Sequence, residues 1–204
     1  CSSDLIGGAL IDTGAFKWAT CQSESIQEQS AFGDLAFLSA LRKHRSNAGC
    51  VQAPQNAFIT GLGLDTLVLR MDRHCENALA CARYFQEKKA DVPVDVAYPG
   101  LPDAKGHKVA QKQFGGRFGG MLTIRLGSKE RAFRFINALK LVKNLVNLGD
   151  SKTLAVHPES TIYRHLNDKE KLEAGVTQDL IRISTGLEHS QDIIDDFEQA
   201  LSCL

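Results

Sequence analysis

Apolar residues along this chain alternate between a spacing of two and a spacing of three to four, and the changes of spacing divide it into short elements. Leu180-Ile181-Arg182-Ile183-Ser184 follows the period of two and predicts a β-strand with the Arg182 guanidinium on one face. Residues 6–12, 92–98, 121–126 and 152–156 read as further strands, most of them bounded by turn clusters such as Asp12-Thr13-Gly14 and Pro99-Gly100-Leu101-Pro102. The helical spacing predicts a helix over 34–45, with Asp34 as N-cap and Leu35, Leu38 and Leu41 on one face. The longest apolar stripe runs through Leu64, Leu67, Val68, Met71, Cys75, Ala78, Leu79, Ala82 and Phe85, and predicts one helix over 54–87.

Four more helices complete the pattern. One is short, over 103–113. A second runs over 128–146, capped by Ser128, with Phe135, Ile136, Leu139, Val142 and Val146 facing inward and Gly149 ending it. Asn147-Leu148-Gly149-Asp150 would then sit at a helix exit, where exposed backbone groups and an amide can meet a ligand. The third opens with a capping box of Asn167 and Glu170 and closes at Gly175, and the last begins near Ser190 with Ile193, Ile194, Phe197, Ala200 and Leu201 inward. Residues 19–34 are polar and aperiodic. Strands and helices alternate through short, turn-like connections, which predicts an α+β fold with helices on one side of a mainly antiparallel sheet. Gly61 and Gly63 weaken the start of the long helix, so a domain boundary is placed near residue 61, with 61–204 as the complete domain and 1–60 too small to be one.

Composition changes this picture little. With 24 basic and 24 acidic residues and no long Lys/Arg run, the chain offers no nucleic-acid or anionic-membrane surface, and no stretch reaches the roughly 20 apolar residues that span a bilayer. A cytoplasmic place is expected. Cys1-Ser2-Ser3 could open a matured lipoprotein, but residues 5–11 read as a buried strand rather than a polar tether. A chain beginning with Cys1 is read as a processed product or as part of something longer. The 6 cysteines are scattered and expected to be reduced.

Local chemistry is sparse. No pair of histidines has zinc-ligand spacing, so no metal site is expected, and no cysteine or serine sits in a nucleophile motif. His74 and Cys75 read as packing or surface residues. Gly115-Gly116-Arg117-Phe118-Gly119-Gly120 precedes a strand rather than a helix and reads as a tight turn, not a phosphate cradle. Arg182 is the one side chain whose placement invites a ligand, because its planar fork of donors grips a carboxylate or phosphate bidentately. On spacing alone the stronger reading is the plain one, an edge-strand charge or half of a structural ion pair.

Four ordered stretches shift that balance: residues 6–18 (Ile6-Gly7-Gly8-Ala9-Leu10-Ile11-Asp12-Thr13-Gly14-Ala15-Phe16-Lys17-Trp18), residues 54–77 from Pro54-Gln55-Asn56 to Arg73-His74-Cys75-Glu76-Asn77, Tyr98-Pro99-Gly100-Leu101-Pro102, and residues 147–184 from Asn147-Leu148-Gly149-Asp150 through His157-Pro158 to Ile181-Arg182-Ile183-Ser184. Nearly the whole chain resembles the C-terminal half of the Cys/Met-metabolism family of pyridoxal-phosphate enzymes, in particular its O-acetylhomoserine sulfhydrylase branch. The resemblance implies the small C-terminal domain of a fold-type I transferase plus the tail, residues 1–60, of the large cofactor-binding domain. It makes Arg182 the group that binds the substrate α-carboxylate and places Asn147, Leu148 and Gly149 in the same pocket.

It also implies a parent enzyme that replaces the acetate of O-acetylhomoserine with sulfide or a thiol, is a homo-tetramer when full length, and takes a small amino acid as substrate. The Phe16/Trp18 pattern favours that branch, with packing as its rival. Elimination of the methionine or cystathionine γ-lyase kind, and a non-catalytic folded domain that binds partners, are the alternatives. The groups that hold pyridoxal phosphate in the family, above all the Schiff-base lysine of a Ser-x-Thr-Lys motif, would lie upstream of Cys1. No such motif occurs here, so no catalytic or cofactor-binding residue is expected in this chain and the isolated chain should be inactive. The segment between Trp18 and Leu35 is shorter and more polar than in the sulfhydrylase branch, and Ile162-Tyr163-Arg164-His165 replaces a run of small polar residues.

Overall fold

A computed structural model describes residues 5–204, and the chain divides into two compact units between Asp65 and Thr66. The sequence boundary near 61 lies within a helix. The first unit contains 3-10 turns at Trp18–Thr20 and Ser30–Leu35, and helices α1 (Glu24–Gln27), α2 (Ala36–Ala48) and α3 (Pro54–Asp65). The strand expected over 6–12 is absent. No neighbouring chain pairs with this segment among the described residues, and Leu10 and Ile11 stand 70% and 84% exposed. Instead Asp12 organises the turn that follows. Its carboxylate accepts the Gly14 N–H and the Trp18 indole N–H, each at 2.9 Å, and Trp18 stacks on Phe37 with ring centroids 4.2 Å apart. Helix α2 starts at Ala36, not at an Asp34 cap, and ends on Gly49 in the left-handed conformation.

The helix expected over 54–87 is two helices. Thr66, with φ −106° and ψ 5°, separates α3 from α4 (Leu67–Lys88). In the second unit α4 turns His74, Asn77, Ala78, Cys81, Ala82 and Phe85 inward at steps of three and four. Around it are α5 (His107–Phe114), α6 (Lys129–Ala138), α7 (Asp168–Glu173) and α8 (Ser190–Leu201), with strands β1 (Asp95–Ala97), β2 (Met121–Arg125), β3 (Lys143–Asn144), β4 (Leu154–Val156) and β5 (Leu180–Ser184). The sheet has the order β1-β2-β5-β4-β3, antiparallel except for the β3–β4 pair.

Leu122, Ile124, Ala155, Ile181 and Ile183 lie on the buried face and share one core with the helices. There Phe85, Phe135 and Phe197 bring α4, α6 and α8 together, with centroids 5.0 Å apart for Phe85–Phe197 and 5.9 Å for Phe135–Phe197. The fold is α+β, with helices over one face of the sheet. Its register aligns Thr123 and Val156 on either side of Arg182, on the opposite face.

Helix α6 is capped by Ser128 as its sequence predicts, but it stops at Ala138 instead of reaching Val146. The cause is tertiary. The buried Asp196 carboxylate on α8 accepts the backbone N–H groups of Lys140, Leu141 and Val142 at 2.9, 3.0 and 2.9 Å, taking the donors that a continuing helix would use. The chain then runs into β3. Asn147-Leu148-Gly149-Asp150 therefore belongs to a β3–β4 loop and not to a helix exit. The capping box of Asn167 and Glu170 forms as expected at the start of α7.

Candidate functional site

Arg182 sits in the middle of β5, a strand paired on both sides. That removes the edge-strand explanation of its charge. No Asp or Glu lies within ion-pair distance of it among the described residues, so the structural ion-pair explanation also falls. Its Nη2 donates to the Asn147 carbonyl at 3.3 Å, and its Nε is buried with no partner. Arg182 is therefore a guanidinium on a central strand with one buried donor left unsatisfied, which carries a desolvation cost.

The loop over Arg182 is held by its own side chains. Asn147 Nδ2 donates to Asp150 Oδ2 at 3.2 Å, and Asp150 Oδ1 accepts the Lys152 N–H at 3.0 Å. That backbone bond, ahead of the Asn147 and Ser151 contacts, keeps the Asp150 carboxyl below its ordinary range. The structure thus brings Asn147 to Arg182 through its carbonyl while the Asn147 amide is engaged within the loop. The Leu148 side chain is 66% exposed and takes no part in the bonding of Arg182.

Beneath the loop lies a polar cluster that the sequence pattern did not single out. Glu188 accepts from the Thr153 N–H at 2.6 Å and the Thr153 hydroxyl at 2.8 Å. Asn77 Nδ2 donates to the Gly186 and Glu188 carbonyls, each at 2.9 Å, and His74 Nδ1 donates to the Thr185 carbonyl at 2.6 Å. His74 is therefore a buried backbone clamp rather than simple packing. The three-residue step from His74 to Asn77, both polar on the apolar face of a helix, was the available signal.

A second cluster braces the far end of β4. His157 Nε2 donates to the Gln178 carbonyl at 2.7 Å, and its Nδ1 accepts the Ser160 N–H at 3.3 Å. Glu159 accepts from Lys129 and Lys171 at 2.7 and 2.8 Å.

With this geometry in place, comparison with known proteins gives the family. The model of the Cys/Met metabolism PLP-dependent enzymes matches residues 2–202. The chain belongs to that family. O-acetyl-L-homoserine sulfhydrylase 1 of Thermus thermophilus is 39% identical over 97% of this chain and 49% of its own length. Homocysteine synthase of Schizosaccharomyces pombe is 39% identical over 96% of this chain and 48% of its own. The solved structure of O-acetylhomoserine sulfhydrylase from Wolinella succinogenes superposes with a TM-score of 0.73 at 34% identity, covering 94% of this chain and 51% of that one. The chain spans about half the length of the curated relatives it matches.

The described residues do not by themselves fit the pyridoxal phosphate of this family. A Schiff-base lysine must stand unpaired in a sheltered pocket. Among the described residues no lysine is buried, and the half-buried ones are engaged, Lys88 with Glu198 at 2.8 Å and both Lys129 and Lys171 with Glu159. In addition, no helix is long and apolar enough to cross a membrane among the described residues.

Proposed function

We propose that this chain is the C-terminal portion of a PLP-dependent enzyme of sulfur amino-acid metabolism that replaces the acetate of O-acetylhomoserine with sulfide or a thiol. The supporting observation is Arg182, centred in the sheet, with no carboxylate in ion-pair distance and no partner for its buried Nε among the described residues. A substrate α-carboxylate at this fork would satisfy the orphaned donor and orient the amino acid, with Asn147 and Leu148 in the loop beside it. In the overall replacement, sulfur forms a bond to Cγ, the Cγ–O bond breaks, and acetate leaves with the bonding pair. The names of the relatives from Thermus thermophilus and Schizosaccharomyces pombe favour replacement over γ-elimination.

In this reading the second unit, residues 66–204, forms the substrate-binding domain, and residues 1–65 form the end of the cofactor-binding domain. The cofactor, its lysine and a homo-tetrameric assembly come with an upstream half, in the cytoplasm. The test is co-expression of this chain with an N-terminal half that carries the lysine, followed by assay of acetate release from O-acetyl-L-homoserine with and without sulfide. Sulfide-dependent release, lost in Arg182→Ala, is the expected result. Release that does not depend on sulfide would indicate elimination. An assembled complex indifferent to Arg182→Ala would remove the assigned role.

A further inference from the structure

We propose that Glu188 is a positioning residue for the carboxylate site, holding Thr153 with both oxygens and through it the 147–152 loop whose Asn147 carbonyl meets Arg182. The proposal rests on the reading of Arg182 as the carboxylate-binding group. The bonds form a closed set. Glu188 Oε1 accepts the Thr153 N–H at 2.6 Å and Oε2 accepts its hydroxyl at 2.8 Å, while that hydroxyl accepts the Gly186 N–H at 2.8 Å. One residue on, the Leu187 N–H donates to the Ser151 carbonyl at 2.8 Å. The end of β5 is thereby laced to the start of β4 and the last residues of the loop.

Three observations make this more than a surface contact. First, no Lys, Arg or His lies within ion-pair distance of Glu188 among the described residues, so its charge is spent on Thr153. A charged acceptor with neutral donors forms stronger hydrogen bonds than a neutral pair. Second, the backbone that carries Glu188 is itself pinned by the amide of Asn77, which donates to the Gly186 and Glu188 carbonyls. Third, a Cβ at Gly186 would run into the Ser151–Lys152 backbone and Glu188 Oε2, so the two strand ends approach more closely than any other residue allows.

The loop needs such an anchor. β3 pairs through two residues only, and the remaining bonds of Asn147 and Asp150 side chains lie within the loop. Among the described residues its ties to the rest of the sheet are Arg182 itself, the Ser151 carbonyl, the Thr153 carbonyl, which accepts the Lys143 N–H at 3.0 Å, and the clasp of Thr153 with Glu188 and Gly186.

The experiment uses the whole 204-residue chain labelled with 15N on arginine, the Arg182 Nε–H resonance being assigned by its loss in Arg182→Lys. Ligand-free exchange of that proton with solvent reports positioning, and titration with O-acetyl-L-homoserine against its methyl ester reports carboxylate binding. In Glu188→Ala we expect exchange to quicken by about tenfold or more and acid binding to weaken by about tenfold. Glu188→Gln should stay within about threefold of the parent, because its carbonyl can accept the Thr153 N–H and its amide can donate to the second lone pair of the Thr153 hydroxyl.

If Glu188→Ala does not fold, Thr153→Val removes the hydroxyl bonds while keeping the shape and should move both readouts in the same direction. Folded Glu188→Ala, or Thr153→Val in its place, with exchange and affinity like the parent overturns the proposal. A parent chain indifferent to the acid, whose Glu188→Ala form still exchanges faster, refutes the carboxylate reading and leaves the clasp standing.

Discussion

Arg182 and Asn147 meet through one bond, from the guanidinium Nη2 to the main-chain carbonyl at 3.3 Å. The contact joins a strand to a loop, and it uses a backbone atom that no substitution of the Asn147 side chain deletes. It also leaves most of the arginine's hydrogen-bonding capacity unused, since Nε is buried without a partner. An unmet buried donor costs about 1–3 kcal/mol.

The first prediction follows from that cost. Arg182→Met should leave the urea unfolding midpoint unchanged or raise stability by about 1 kcal/mol, while abolishing the response to O-acetyl-L-homoserine. Circular dichroism across a urea series measures the first and NMR titration the second. A loss of stability beyond about 2 kcal/mol would mark Arg182 as a structural residue.

A second prediction concerns the three-ring core. Phe197 is fully buried and faces both Phe85 and Phe135, so Phe197→Ala should cost about 3–5 kcal/mol through lost transfer energy and a residual cavity. Phe114 is 56% exposed at the end of α5, and Phe114→Ala should fall within about 0.5 kcal/mol of the parent. Equal effects in chemical denaturation would contradict this placement of the core.

Acid should loosen the end of β4. Hydrogen bonds from Lys129, then Lys171, hold the Glu159 carboxyl down to about 2 from its ordinary 4.5. A folded value below the unfolded one means that the stabilisation is fully present above about pH 4.5 and is lost as pH falls towards 2. Glu159→Gln should be less stable than the parent at neutral pH and converge with it in acid, as a pH series of thermal melts would read. A difference that grows on acidification would reverse the assignment.

Thiol chemistry should sort by burial. Cys50 and Cys203 are exposed, whereas Cys75 and Cys81 are buried, and burial pushes the Cys81 thiol up to about 12. Alkylation of the native chain followed by peptide mass analysis should therefore modify Cys50 and Cys203 first and Cys81 only on unfolding. Early labelling of Cys81 would mean that α4 opens readily from the sheet.

Much of the second unit was legible along the chain. The strand around Arg182, the Ser128 cap, the box at Asn167 and the apolar stripe of the last helix all depend on residues close in sequence, and each appears at or within a few residues of its expected place. What failed failed for non-local reasons. The 128–146 helix has an unbroken apolar stripe, yet it stops where Asp196 from a distant helix captures three backbone donors. Residues 6–12 have the composition of a strand but no ladder partner among the described residues, and without one the pattern does not become a strand.

The candidate site divides in the same way. The sequence by itself determined the family, the α+β class and the strand that carries Arg182, because motif order and local spacing are written in consecutive residues. Only the tertiary structure decided that this arginine lies on a central strand with no counter-ion among the described residues, that Asn147 reaches it by a carbonyl, and that Glu188 clasps Thr153 from 35 residues away. Those relations arise where separate strands are brought to hydrogen-bonding distance, and periodicity within any one of them carries no record of its neighbour.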